Sequence, residues 1–354
     1  MSKTLGILGG GQLGRMSAQA AQKLGIRTVI FTPEDNSPAS QVADETVLAN
    51  YDDEDALRAF ADKVDVISYE FENIPVKTVR FLQTLKPVYP DDTLLEIAQD
   101  RLVEKSFLNE HGIPTANWSP ARSVSDIEET LKDWNTNRCI IKTTRFGYDG
   151  KGQAFIRSES DIQNAWDSLK SDIVIIEEVI DFDCEISVIV ARDQNGHMEF
   201  YGPCLNDHAN HILSQTTVPA DIPAALADKA IEAAANLATA VNLVGVLALE
   251  MFVTKDGRIL ANEIAPRTHN SGHWTIDACA VSQFENHVRT VCGMDAAPPA
   301  RHSDATMLNL IGDEVTNIAQ YEAHENAHIH LYGKDEVRPG RKMGHVTILK
   351  DKTS

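Results

Sequence analysis

Short apolar runs alternate along the chain with stretches whose apolar positions recur at helical spacing, a pattern that predicts strands and helices in turn. Residues 4–9 (TLGILG) read as a buried strand, 9–14 (GGGQLG) as a turn, 15–24 as a helix and 27–31 as a second strand, one βαβ unit. Helices are predicted over 53–63 and 76–85, around a strand at 64–68. That strand runs into Tyr69-Glu70-Phe71-Glu72-Asn73, at the carboxyl end where open α/β sheets bind ligands, and alternation would aim Glu70 and Glu72 the same way. A helix opening at Asp100-Arg101 is stopped by His111-Gly112-Ile113-Pro114; Arg101 and Lys105, four apart, share one face in the manner of a solvated stripe. Residues 139–156 read as strand, glycine-rich loop and strand, 173–176 as an apolar strand ending in Glu177-Glu178-Val179-Ile180, and 184–190 as another strand. Asn195-Gly196 is a hairpin turn, Asn206 and His208 fall on an irregular connection, and 224–241 is an alanine-rich packing helix. Strands at 304–311, 328–332 and 345–349 form a small C-terminal module.

The stretch 247–275 carries the first chemical clue, because two apolar strands flanking Lys255-Asp256-Gly257 each contain a glutamate, Glu250 and Glu263. A carboxylate in such a run is costly unless something positive meets it, and a shared Mg²⁺ or Mn²⁺ is the simplest remedy for two. Register decides whether they meet. A three-residue loop sets Asn262 opposite Glu250, and Glu263 comes alongside only with a bulge or a loop of two or four residues. The bland alternative is a solvated hairpin with both glutamates outward.

Composition narrows the partners. With 32 Lys plus Arg against 52 Asp plus Glu, a net charge of −20, no nucleic acid and no anionic membrane surface is expected as the main partner, so any anionic ligand needs local cations. The five cysteines have no C-x-x-C spacing, and no apolar stretch reaches about 18 residues, so a soluble cytoplasmic protein with reduced thiols is expected.

Gly9 to Gly14 form a G-x-G-x-x-G with Glu34 and Asp35 about twenty residues on, the formal fingerprint of a dinucleotide site and hence of an NAD-dependent oxidoreductase. The same amides would suit any phosphate, or serve as a bare turn. Residues 142–153 combine Lys142 and Lys151 with glycines that let amides crowd a polyphosphate, although no Gly-Lys-Ser/Thr opens a helix; a mobile hairpin tip is the alternative. Glu177 to Ile180 can offer backbone groups to an adenine edge and Glu185 a carboxylate to a ribose, though both are also ordinary sheet residues. His269 with His273, and His324 with His328 and His330, lack the companions of a zinc site. Lys334, Arg338, Arg341 and Lys342 stand out against the acidic background and suit either an anionic substrate or a solvated turn.

A lysine before a glycine loop, an apolar strand ending in acids and a Glu/Asn-Glu hairpin, in that order, resemble the ATP-grasp superfamily over nearly the whole chain. GGGQLGRM (9–16), YEFEN (69–73), GYDGKGQ (147–153), NEIAPRTHNSGHWT (262–275) and RPGRKMGH (338–345) are similar, more narrowly, to its 5-(carboxyamino)imidazole ribonucleotide synthase family. The resemblance implies an α/β (α+β) ATP-grasp fold: an N-terminal Rossmann-like parallel-sheet domain (1–99), a small lid (100–176), a central subdomain (177–297) and a short C-terminal module (298–354). It also implies that ATP is held by Arg101, Lys142, Gly147, Tyr148, Asp149, Gly150, Lys151, Gly152, Gln153, Glu177, Glu178, Val179, Ile180, Glu185 and His208, with Asn262 and Glu263 at the phosphates. Mg²⁺ or Mn²⁺ would sit on Glu250 and Glu263. The acceptor, 5-aminoimidazole ribonucleotide, would meet Gln12, Leu13, Glu70, Tyr148, Asp149, Asn270, Lys334, Arg341 and Lys342. Arg267 and His269 would face the reacting centre, with Lys142 and Lys334 as further catalytic groups. The implied reaction of purine biosynthesis uses ATP and bicarbonate, passes through carboxyphosphate and carboxylates the acceptor amine, in a homodimer. The nearest alternative is the formate-dependent glycinamide ribonucleotide transformylase, and a dead nucleotide-sensing module is a third.

Overall fold

The computed structural model describes residues 3–147 and 151–353, which build three sheets. The first is parallel, β1 (Thr4–Leu8), β2 (Arg27–Thr32), β3 (Glu45–Leu48) and β4 (Val66–Tyr69) in the order β3-β2-β1-β4. The second is antiparallel, β5 (Trp118–Ala121), β6 (Cys139–Thr143), β7 (Gln153–Ile156) and β8 (Val174–Glu177) in the order β5-β8-β6-β7. The third contains β9 (Phe182–Arg192), β10 (Met198–Ala209), β11 (Ile212–Val218), β12 (Gly245–Thr254), β13 (Ile259–Ala265), β14 (Ser303–Ile311), β15 (Ala327–Leu331) and β16 (Lys342–Asp351). Their order is β13-β12-β9-β10-β11-β14-β16-β15, so the C-terminal strands lengthen the central sheet and β13 ends it.

Each sheet is held by the apolar faces that its pattern foretells. In the third, Val188, Val190, Leu247 and Leu249 pack on Ala230, Ala234 and Leu237 of the helix Ala224–Ala240, all fully buried, each large side chain contributing roughly 1.5–3 kcal/mol of transfer free energy. In the second, the all-apolar run of β8 is buried because β8 is an interior strand, with Ile141 and Ile176 against Ile127, Leu131 and Ile162. Phe284, Val288 and Val291 of the helix Gln283–Val291 enter the same cluster as Leu13, Met16 and Ala20 of the helix Gln12–Lys23, which joins the first sheet to the third.

Asn206 and His208 are not on an irregular connection but on β10, paired with β9 and β11. The register shift between Asp207 and His208 interrupts the alternation, so the strand's polar end reads as loop. All five cysteines are free thiols. Among the described residues, no helix is long and apolar enough to cross a membrane.

Candidate functional site

The turn between β12 and β13 sets a register in which Met251, Phe252 and Val253 face Ala261, Leu260 and Ile259, so continuation would bring Asn262 opposite Glu250. Asn262 is instead an extra residue: the ladder shifts there and Glu250 pairs with Glu263. A bulge, one of the routes left open by the sequence, brings the two carboxylates together.

The electrostatics around them are unequal. His269 Nε2 lies 2.9 Å from Glu250 Oε1, while its Nδ1 receives the Ser271 amide at 3.3 Å and lies 2.8 Å from the Ser271 hydroxyl. Burial alone would raise the Glu250 carboxyl, but His269, with His208 and Lys342 farther off, holds it at about 2. Glu263 is pushed up, first by its surroundings and then by the charge of Glu250, although solvent reaches its side chain at the cleft wall. Crowded hard oxygen donors with one like charge opposing another fit a divalent cation of the Mg²⁺ type.

A cavity of about 520 Å³ opens from this pair. Its walls include Arg101, Lys142, Lys151, Gly152, Gln153, Glu177, Glu178, Val179, Ile180, Glu185, His208, Glu250, Asn262, Glu263, Arg267, His269, Asn270 and Lys342. Lys142 of β6 donates to Glu177 of β8 at 2.5 Å, and Lys105 stands 3.7 Å from the other oxygen. Burial would raise Glu177, but Lys142 and then Lys105 keep it at about 2. Arg101 donates to the carbonyls of Thr143 at 3.2 Å and Gly147 at 3.1 Å, tying its helix to the glycine loop. His208 Nδ1 lies 3.4 Å from Glu185. Tyr148, Asp149 and Gly150 lie outside the described residues.

Sequence reasoning missed several groups in this wall. Lys105, expected on a solvated stripe, is 2% exposed, because its face of the helix Arg101–Glu110 covers β13. Its spacing of four from Arg101 was the available signal. Phe182 and Phe252, stacked with centroids 4.8 Å apart, give the cavity an apolar side; Phe252 was legible as the same-face neighbour of Glu250. Glu72, which the sequence singles out with Glu70 at the carboxyl end of β4, also lines it and forms an ion pair with Arg267.

Of the acceptor candidates, Asn270 and Lys342 are in the cavity wall, whereas Gln12, Leu13, Glu70, Lys334 and Arg341 are not among its lining residues. Glu70 accepts from the amides of Gly11 at 2.5 Å and Gly14 at 3.0 Å. The dinucleotide reading of that loop is therefore corrected: the amides that would meet a pyrophosphate meet the protein's own carboxylate. A Cβ on Gly9 would lie 2.3 Å from Glu70 Cγ and one on Gly11 2.6 Å from its oxygen, so the glycines serve this close approach. Burial pushes Glu70 up, against the two amides, Arg267 and Lys334. Leu13 is packed in the core, leaving its backbone as the part able to meet a ligand, and Gln12 is half-buried at the helix start. Lys334 donates to the Lys342 carbonyl at 2.7 Å, and burial followed by the charge of Arg341 lowers it to about 8. Arg341 donates to the Glu336 carbonyl at 2.8 Å, and the Asn270 amide exchanges hydrogen bonds with Asn309 at 2.9 and 2.8 Å.

For the histidines, the structure supplies the acid that the sequence did not: Asp277 meets His330 at 2.9 Å, with His345 beside it. The rings of His330 and His345 are stacked, 4.5 Å apart and 15° from parallel, so their in-plane lone pairs run side by side rather than converging on an ion.

The antiparallel lid, the long central sheet and the cleft between them define an ATP-grasp protein. Residues 106–284 match the ATP-grasp domain family, 1–99 the ribonucleotide synthetase preATP-grasp domain, and 305–354 the phosphoribosylaminoimidazole carboxylase C-terminal domain. An N5-carboxyaminoimidazole ribonucleotide synthase of Brucella melitensis is 48% identical, the alignment covering 99% of this chain and 97% of that one. The ADP complex of an N5-carboxyaminoimidazole ribonucleotide synthetase superposes with a TM-score of 0.95 at 40% identity, covering 99% of this chain and 93% of that one. The Aspergillus clavatus enzyme in complex with ADP and 5-aminoimidazole ribonucleotide gives 0.92 at 30%, covering 99% and 94%. The chain belongs to the N5-carboxyaminoimidazole ribonucleotide synthase family.

Proposed function

We propose that this protein uses ATP and bicarbonate to carboxylate the amine of 5-aminoimidazole ribonucleotide, releasing ADP and phosphate, through the residues gathered in the cleft. The observation that carries the residue assignment is the bulge at Asn262, which faces Glu263 to Glu250 in one cavity with Lys142 and Arg101. Bicarbonate is a poor electrophile, so its oxygen first takes the γ-phosphoryl group, forming carboxyphosphate and ADP. The acceptor amine then attacks the carboxyl carbon; the C–N bond forms, the C–O bond to phosphate breaks, and the amine loses a proton.

Phosphoryl transfer needs positioning and charge neutralisation more than covalent help. Lys142, oriented by Glu177, and Arg101 with the glycine loop meet the phosphates. Glu250 and Glu263 would hold Mg²⁺, which supplies neutralisation of the transferring oxygens. The Glu177 to Ile180 exit faces adenine, with Phe182 and Phe252 as its apolar support, and Glu185 takes the ribose. Arg267 and His269 face bicarbonate, while Lys334 and Arg341 hold the acceptor phosphate with Glu70 nearby. Because carboxyphosphate hydrolyses readily, the glycine loop has to exclude water before transfer. The test is ADP release, expected to require bicarbonate and Mg²⁺ and to rise strongly with 5-aminoimidazole ribonucleotide. Full turnover without bicarbonate, or with formate in its place, overturns the reading.

A further inference from the structure

The bulge that brings Glu263 to Glu250 leaves β13 with a local break in its ladder, at the open edge of the eight-stranded sheet. Among the described residues no strand lies beyond that edge to take its outward backbone groups, only an isolated bridge from Thr115 to Ala261. The helix Arg101–Glu110 lies there instead, and its consecutive residues Glu104 and Lys105 take two of them. Lys105 Nζ donates to the carbonyl of Asn262, the extra residue, at 2.8 Å. Glu104 Oε1 accepts from the amide of Ile264 at 2.5 Å. The carbonyl of Pro114 takes the amide of Ala261 at 2.7 Å. Glu263 is thus bracketed by side-chain bonds on both sides.

Both side chains are 2% exposed, where ionisable groups are expensive to keep unless their contacts require them. Solubility does not explain them. One helix turn earlier, Arg101 holds the glycine loop, so a single helix addresses both the loop and the strand of the carboxylates.

We propose that Glu104 and Lys105 are positioning residues for the metal-binding carboxylates, standing in for a neighbouring strand and fixing the bulge that presents Glu263 to Glu250. Neither is assigned contact with the reacting atoms. The inference rests on the assignment of Mg²⁺ to Glu250 and Glu263.

The test compares Glu104→Leu, which removes the acceptor, with Glu104→Gln, which keeps an acceptor oxygen at the same reach. In the metal-free protein, hydrogen exchange at the Ile264 amide is expected to quicken at least about tenfold in Glu104→Leu and to return toward the parent rate in Glu104→Gln. Mn²⁺ binding to the ADP complex, followed by electron paramagnetic resonance, should weaken on the order of tenfold in the first variant and recover in the second. Unchanged exchange and Mn²⁺ affinity in Glu104→Leu, or failure of Glu104→Gln to recover them, overturns the proposal. Should Glu104→Leu not fold, Lys105→Met frees the Asn262 carbonyl and has to weaken Mn²⁺ binding likewise. Glu263→Ala serves as the control: if it leaves Mn²⁺ binding intact, the metal assignment fails, whereas an effect there with none from Glu104→Leu defeats the clamp alone.

Discussion

Lys142 donates to Glu177 at 2.5 Å from the neighbouring strand, and Ile140, two residues before the lysine, is the register partner of Glu177. The two side chains are therefore diagonal neighbours on one face of the lid sheet, and the acid is held charged far below its ordinary range. Its folded-state value, about 2, lies below the unfolded one, so its stabilisation is present above roughly pH 4.5 and is lost as pH falls toward 2. Glu177→Met should cost about 3 kcal/mol at neutral pH by leaving Lys105 and Lys142 without their acid, and the deficit should shrink in urea titrations at progressively lower pH.

Glu263→Ala should lower the chemical step on the order of 10²-fold or more while leaving the melting temperature close to that of the parent, since the side chain reaches solvent and packs in no core. Single-turnover ADP formation reads the first and thermal denaturation the second. An unchanged rate would put the metal elsewhere.

Lys334 is charged below about pH 8 and neutral above it. For the free enzyme, kcat/KM toward 5-aminoimidazole ribonucleotide should fall as pH rises through that value, and Lys334→Met should raise the acceptor KM and flatten this limb. Nucleotide affinity, measured by ADP titration, should barely change in the variant.

Gly9→Ala brings a Cβ within 2.3 Å of Glu70 Cγ at a residue whose φ is +112°. Glu70 cannot swing aside without leaving the amides of Gly11 and Gly14. A loss of about 1–3 kcal/mol on denaturant unfolding is expected, with a raised acceptor KM.

Much of this architecture was legible in the pattern of residues. The βαβ opening, the apolar β8 with its acidic end and the two glutamate-bearing strands follow from periodicity, and all are present. The approach of Glu263 to Glu250 was not decidable, because one residue of register inverts a strand's face and nothing local announces that Asn262 is the extra one. Lys105 misled for a related reason: a cation at helical spacing from another looks solvated until a sheet edge is known to lie against it. Asn206 was lost to the shift at Asp207 and His208, and the Gly9–Gly14 turn left the dinucleotide, phosphate and bare-turn readings open because Glu70 is distant in sequence.

That last arrangement bears on how inorganic ions act on the enzyme. A sulfate or orthophosphate ion reaching the start of the helix Gln12–Lys23 would have to evict a resident carboxylate from two amides, one of them at 2.5 Å. If Lys334 and Arg341 hold the acceptor phosphate as proposed, buffer anions should compete there rather than at the Gly11 and Gly14 amides, which Glu70 already fills.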